Sequence, residues 1–141
     1  MMMAAGAVGN GSETTMAAPM IQRPIPRTGE SLPVIGLGTW QTFDVGPTAA
    51  EREPLRQVLA EFAKLGGTDV DSSPMYGRSE SVVGDLAAAM NAHKMLFLAT
   101  KVWTSGREEG IRQMEQSLAR LRSSRIDFMQ VHNLVDYRTH L

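Results

Sequence analysis

Apolar residues recur along this chain in two alternating rhythms. Between positions 48 and 65, Leu55, Val58, Leu59, Phe62 and Leu65 fall at helical spacing and make one stripe. Thr48 and Glu51 stand as a capping-box pair at its start, Pro54 sits in its early turns, and Gly66 and Gly67 stop it. A second helix is predicted over 79–92. A third carries Ile111, Met114, Leu118 and Leu121, with Ser105 and Glu108 as its expected capping pair. Between the helical stretches lie short apolar runs: VIGLGTW, TDVDSS, LFLATKVW and RIDFMQVHNL. These read as strands. The continuous apolar character of LFLATKVW is that of a strand covered on both faces. Ahead of them, MIQRPIP and LPVIGLG flank Arg27-Thr28-Gly29-Glu30, the pattern of a hairpin with Gly29 at a positive φ. Pro24, Pro26 and Pro33 confine that hairpin to an edge or rim.

The predicted order is therefore hairpin, then β-α-β-α-β-α-β. Alternation of this kind gives parallel strands joined by helical crossovers. Two architectures satisfy it: a doubly wound sheet, or part of a (β/α)8 barrel. Gly36 and Gly38 begin a glycine fingerprint, but position 41 is Gln41, so the dinucleotide-binding signature of a doubly wound fold is absent.

Composition narrows the function classes. The chain has 141 residues and a formal net charge of -1, with no basic field to attract nucleic acid. It has no Cys, which excludes disulfides, thiolate zinc sites and a Cys nucleophile. No apolar run reaches the length of a membrane span. Positions 1–19 are small and lack aromatics, and are expected to be a disordered tail before a domain over 20–141. The tail has no basic segment followed by a long apolar one, so a cytoplasmic location is expected by default. An export signal lying upstream would make it periplasmic.

Candidate chemistry gathers where the strands end, the edge at which parallel α/β folds place their sites. Trp40 ends the first strand. Asp71 ends the second, with Tyr76 five residues on. Lys101 and Trp103 close the third, and His132 and Asn133 the fourth. Each alone has an ordinary reading. Asp71-Ser72-Ser73-Pro74 reads as a turn, and a single His is more often a satisfied rim residue. Lys101 in a buried strand, however, needs a counter-charge. A Tyr beside an ammonium is a recognisable proton donor, because the ammonium favours the phenolate. His132 and Asp136, four apart, would chelate a metal only on a helix, and their surroundings read as strand, so no metal is expected. His93 and His140 read as solvated. Arg120, Arg122 and Arg125 read as an exposed helix end. Asp69, two before Asp71, should share its face. It must find a partner or strain the strand.

Four segments carry a family resemblance: IGLGTW, the loop from Asp71 through Tyr76-Gly77 to Ser79-Glu80, ATKVW, and IDFMQVHN. Together they resemble the successive strand-end motifs of the aldo-keto reductase superfamily. The resemblance implies an α/β chain forming the N-terminal half of a (β/α)8 barrel, with about four parallel strands, three helices and a preceding β-hairpin. It implies hydride transfer from NADPH to an aldehyde or ketone. The catalytic set would be Asp71, Tyr76, Lys101 and His132. Tyr76 would be the acid, Lys101 the ammonium beside it, Asp71 the holder of Lys101, and His132 the group that orients the carbonyl. Thr39, Trp40 and Asp71 would lie near the nicotinamide ribose, and Trp40, Trp103 and Asn133 would wall the substrate pocket.

Family barrels run to about 250 residues, and the remaining cofactor contacts sit on strands beyond the fourth. Weak or no NADPH binding by these residues alone is the expectation. Two alternatives remain: a non-catalytic module of the same fold, and a half-barrel that pairs with itself. The oligomeric state is not readable from the residues.

Overall fold

A computed structural model describes residues 19–134 and Arg138. The tail readings over 1–18, and those on Asp136 and His140, lie outside the described residues. The element order is β1 (Gln22–Pro24), β2 (Ser31–Pro33), β3 (Leu37–Gly38), α1 (Ala49–Lys64), β4 (Asp69–Asp71), α2 (Ser79–Ala89), β5 (Phe97–Val102), α3 (Arg107–Arg120) and β6 (Phe128–Val131). β1 and β2 pair antiparallel as a separate hairpin, with Gly29 at φ +74° in its turn. The other four strands form one parallel sheet in the order β3-β4-β5-β6, each step crossed by one helix. This is the architecture read from the alternation of elements.

Local signals explain most boundaries. Thr48 caps α1, and the Glu51 carboxylate accepts from the Thr48 backbone N–H, completing the capping box. At the other end the Gly67 N–H donates to the Phe62 carbonyl and the Gly66 N–H to the Ala63 carbonyl, a Schellman closure that Gly66 permits at φ +89°. Pro54 lies inside α1, where its missing N–H leaves the carbonyl one turn earlier, on the exposed Ala50, facing water.

Several expectations were too long or misplaced. Only Leu37 and Gly38 of VIGLGTW pair, and Val34 and Ile35 stand exposed, because β3 is an edge strand. The second helix ends at Ala89, with Asn91 turning into the left-handed region at φ +53°. The Ser105–Glu108 cap does not form. Gly106, at φ +84°, is the N-cap and supplies no side chain. Gln113 reaches back instead, accepting from the Trp103 N–H at 2.6 Å.

The core lies between the sheet and the three helices. Val70 and Leu98 face it from the strands. Leu55 and Leu59 meet them from α1, and Val82, Val83 and Leu86 from α2. Gly84 lets α2 approach the end of α3, since a Cβ there would overlap the Arg120 carbonyl oxygen. Glu80 is 1% exposed in this layer, accepting from Thr100 Oγ1 at 2.7 Å and pairing with Arg120 at 3.2 Å. Arg122 pairs with Asp85 and Arg125 with Asp127, so the three arginines are tied rather than idle. His93 is half-buried, its Nε2 donating to the Leu121 carbonyl at 2.9 Å, not merely solvated.

Strand alternation then dedicates the opposite face of the sheet to polar groups. The register aligns Gly38, Asp71, Ala99 and Phe128 in one row, and Lys101 with Gln130 in the next. Leu98 and Thr100 point to the helices, and Lys101 points away from them toward Asp71.

Candidate active site

The register brings Asp71 and Lys101 together although thirty residues separate them. Lys101 Nζ donates to Asp71 Oδ2 at 2.6 Å and to the Ser72 carbonyl at 2.7 Å. The other oxygen, Asp71 Oδ1, accepts from Gln130 Nε2 at 2.9 Å. One carboxylate oxygen is thus held from β5, the neighbouring strand, and the other from β6, the strand beyond it. The side chains are 13% and 34% exposed for Lys101 and Asp71, a half-sheltered pair whose attraction is stronger than a surface ion pair's.

Tyr76 hangs over this pair from the loop after β4. Its loop is closed by backbone bonds, the Tyr76 N–H donating to the Ser73 carbonyl at 3.0 Å, and Gly77 follows at φ +58°. The ammonium of Lys101 lies 4.9 Å from the centre of the Tyr76 ring. His132, in the turn just past β6, meets the Tyr76 ring edge-on, with centroids 5.8 Å apart. Trp40 packs 6.4 Å from Tyr76, and Trp103 lies 5.6 Å from His132. Trp40, Met75, Tyr76, Trp103 and His132 line a half-open cleft of about 320 Å³. The two tryptophans are 63% and 51% exposed, so each rim has an apolar wall facing outward.

All four residues of the expected catalytic set thus converge. The expected binding residues divide. Thr39 is buried, its hydroxyl 3.0 Å from the Asp71 carbonyl oxygen and 2.9 Å from Ser72 Oγ, so it builds the wall from behind. Asn133, at φ +52°, lines a neighbouring larger groove of about 680 Å³ with Trp103, Ile111 and Met114, and not the cleft of Tyr76. The two grooves share Trp103 and His132, but Tyr76 lines only the smaller one. Asp69 shares the face of Asp71 as alternation requires, but finds no partner for its buried Oδ1. Burial pushes its carboxyl above the ordinary value, Asp71 adds repulsion, and Lys101 opposes both. Gly36 makes room for it: a Cβ there would come within 2.7 Å of Asp69 Oδ2.

Sequence reading missed Gln130, Ser72 and Ser73. Gln130 stands two residues before His132 and so on the same face, a signal that period-two alternation carried. That it meets Asp71 depends on the β5–β6 register, which no local pattern announces.

Comparison with known proteins agrees with this geometry. The sequence model of the aldo/keto reductase family matches residues 34–140. Methylglyoxal reductase YeaE of Escherichia coli is 35% identical over 118 residues, covering 80% of this chain and 40% of the relative. The NADP-dependent D-sorbitol-6-phosphate dehydrogenase of Malus domestica is 31% identical over 74% of this chain and 33% of its own length. Among solved structures, an aldo-keto reductase from Klebsiella pneumoniae in complex with NADPH superposes with a TM-score of 0.66 at 29% identity, over 80% of this chain and 40% of that one. The chain thus spans well under half the length of these relatives. Its four parallel strands, three helices and leading hairpin correspond to part of their barrels. A similar fold, a matching family pattern and a site at the C-terminal strand ends lead to one assignment: this chain belongs to the aldo-keto reductase family.

Proposed function

We propose that the cleft serves NADPH-dependent reduction of a small aldehyde or ketone, with Tyr76 as the proton donor. The observation that carries this is the clamp on Lys101, held between Asp71 Oδ2 and the Ser72 carbonyl with its charge 4.9 Å from the Tyr76 ring. A positive charge fixed there stabilises the phenolate left behind when the Tyr76 hydroxyl gives its proton to a carbonyl oxygen. Asp71 and Gln130 do not touch that oxygen. They keep Lys101 from swinging away. His132 brings a ring nitrogen to the same cleft as a hydrogen-bond donor for the carbonyl oxygen.

The half-open aromatic cleft suits a flat ring laid beside a small carbonyl compound. Trp40 and Asp71 are the residues that would meet the nicotinamide ribose, while Thr39 shapes the wall behind them. When bound, NADPH supplies the hydride that reaches the carbonyl carbon. The relatives' names support the cofactor and a carbonyl substrate class.

Carbonyl-dependent oxidation of NADPH tests the proposal, in a protein where these residues are joined to the later strands of an aldo-keto reductase barrel. Tyr76→Phe is expected to lower turnover by about 10²–10⁴-fold, the usual contribution of a general acid, with cofactor affinity nearly unchanged. Turnover equal to that of the unsubstituted protein would remove Tyr76 from the role.

A further inference from the structure

Ser73 lies outside the expected catalytic set, yet its hydroxyl is 2.9 Å from His132 Nδ1. Ser73 is fully buried, and His132 is half-buried beside it. A neutral imidazole carries one proton, and the partner of one ring nitrogen decides which nitrogen has it. Two arrangements fit the distance: Ser73 donates to Nδ1, or Nδ1–H donates to Ser73.

The surroundings choose between them. Ser73 Oγ already accepts from the Met75 N–H at 3.2 Å, and a backbone amide only donates. If Nδ1 donated as well, Oγ would accept twice and its own hydrogen would need an acceptor. Among the described residues the hydroxyl has none besides His132. A buried hydroxyl hydrogen without an acceptor is unfavourable, and solvent does not reach this one. If Ser73 donates to Nδ1 instead, the Ser73 hydroxyl both donates and accepts, and Nδ1 has its partner. His132 Nε2, which makes no hydrogen bond to a described residue, then carries the proton on the ring edge away from Ser73.

We infer that Ser73 is a positioning residue that sets the His132 tautomer, holding Nδ1 as acceptor so that Nε2–H is the donor offered to a substrate carbonyl. This deepens the carbonyl-reductase reading and rests on it for its use, but the tautomer itself stands apart from turnover. The same bond ties the β4 loop that carries Tyr76 to the turn after β6. It therefore fixes the His132 ring against the Tyr76 edge, with Trp103 on its other side.

Long-range ¹H–¹⁵N correlation spectroscopy of this chain reads the tautomer directly, at a pH well above the ordinary histidine value of about 6.5. His132 is expected to show a pyrrole-type Nε2 and a pyridine-type Nδ1 as a single form. His93 serves as an internal reference, because its Nε2 must donate to the Leu121 carbonyl. In Ser73→Ala the His132 nitrogens are expected to move toward averaged shifts, with His93 unchanged. Ser73→Thr, which keeps the hydroxyl, should retain the single form. A protonated Nδ1 in the unsubstituted chain overturns the inference. So does an unchanged His132 signature in Ser73→Ala. Should Ser73→Ala fail to fold, seen as loss of the His93 signature, the unsubstituted chain and Ser73→Thr still decide it. Because no step of the measurement needs turnover, failure here leaves the role of Tyr76 standing, and failure of that role leaves the tautomer standing.

Discussion

Lys101 Nζ lies 2.6 Å from Asp71 Oδ2 across two neighbouring parallel strands, and this ion pair is the hinge of the site. It joins the chemistry to the fold: the β4–β5 register that brings the two side chains together is the one that buries Val70 beside Leu98 on the opposite face.

Removing the ammonium should therefore cost stability as well as activity. Lys101→Met leaves Asp71 with Gln130 as its one remaining side-chain donor among the described residues. Breaking a fully buried pair costs about 3–5 kcal/mol. With Asp71 a third exposed, solvent screens part of this, and a loss of about 1–3 kcal/mol is expected. Urea unfolding of the two forms measures it, and an unchanged midpoint would show that the pair contributes nothing to the fold.

Asp69 should act in the opposite sense. Its folded-state carboxyl titrates above the ordinary 3.8, because burial and the neighbouring Asp71 disfavour the charge. The folded state therefore binds the Asp69 proton more tightly than the unfolded state does. The stability this gives is fully present below the unfolded value and is lost as pH rises through the folded one. Asp69→Asn does not titrate. It should be more stable than the unsubstituted chain at pH 7 by about 1 kcal/mol, a figure held low because the side chain is only partly enclosed. That advantage should close toward pH 3. Denaturation midpoints at the two pH values give the comparison, and a constant difference between them would be inconsistent with an unpaired carboxylate.

Gly84→Ala should destabilise despite the better helix propensity of alanine. The propensity gain is about 1 kcal/mol. Against it, a Cβ at this position overlaps the Arg120 carbonyl and comes within 2.8 Å of Leu121 Cα, both backbone atoms that move only with the end of α3. Overpacking of this kind costs about 1–3 kcal/mol, so a net loss of about 1 kcal/mol is expected from chemical denaturation.

The outer strands of the parallel sheet predict self-association. Among the described residues β6 is an edge, and it exposes Phe128 and Val131, with Leu134 just beyond. Unpaired edges with apolar side chains recruit further strands. Phe128→Lys should shift sedimentation of this chain toward monomer, and an unchanged distribution would place the association elsewhere.

The pattern of elements was legible because helical stripes and short apolar runs are local signals. Thr48 and Glu51 announced a helix start that forms as read, since both partners of that cap lie within one turn. Ser105 and Glu108 carried the same signal and failed, because Gly106 caps α3 and Gln113 satisfies the preceding loop backbone. The convergence of Asp71, Tyr76, Lys101 and His132 was legible from their places at successive strand ends. Ser73 and Gln130 were not, for a physical reason: their partners lie 59 residues away, and only the strand register and loop closure bring them within hydrogen-bond distance. The burial of Thr39 was hidden for the same reason, since it depends on Ser72 and on the Asp71 carbonyl of the neighbouring strand.

Transfer of deuterium measures the central proposal most directly. These residues, joined to the later strands of a family barrel, would be given an aldehyde and NADPH deuterated at the transferring carbon of the nicotinamide. Mass spectrometry of the alcohol product should find the deuterium on the former carbonyl carbon, and Tyr76→Phe should suppress that product. An alcohol formed without deuterium, or formed equally well by Tyr76→Phe, would contradict hydride transfer to a carbonyl protonated by Tyr76.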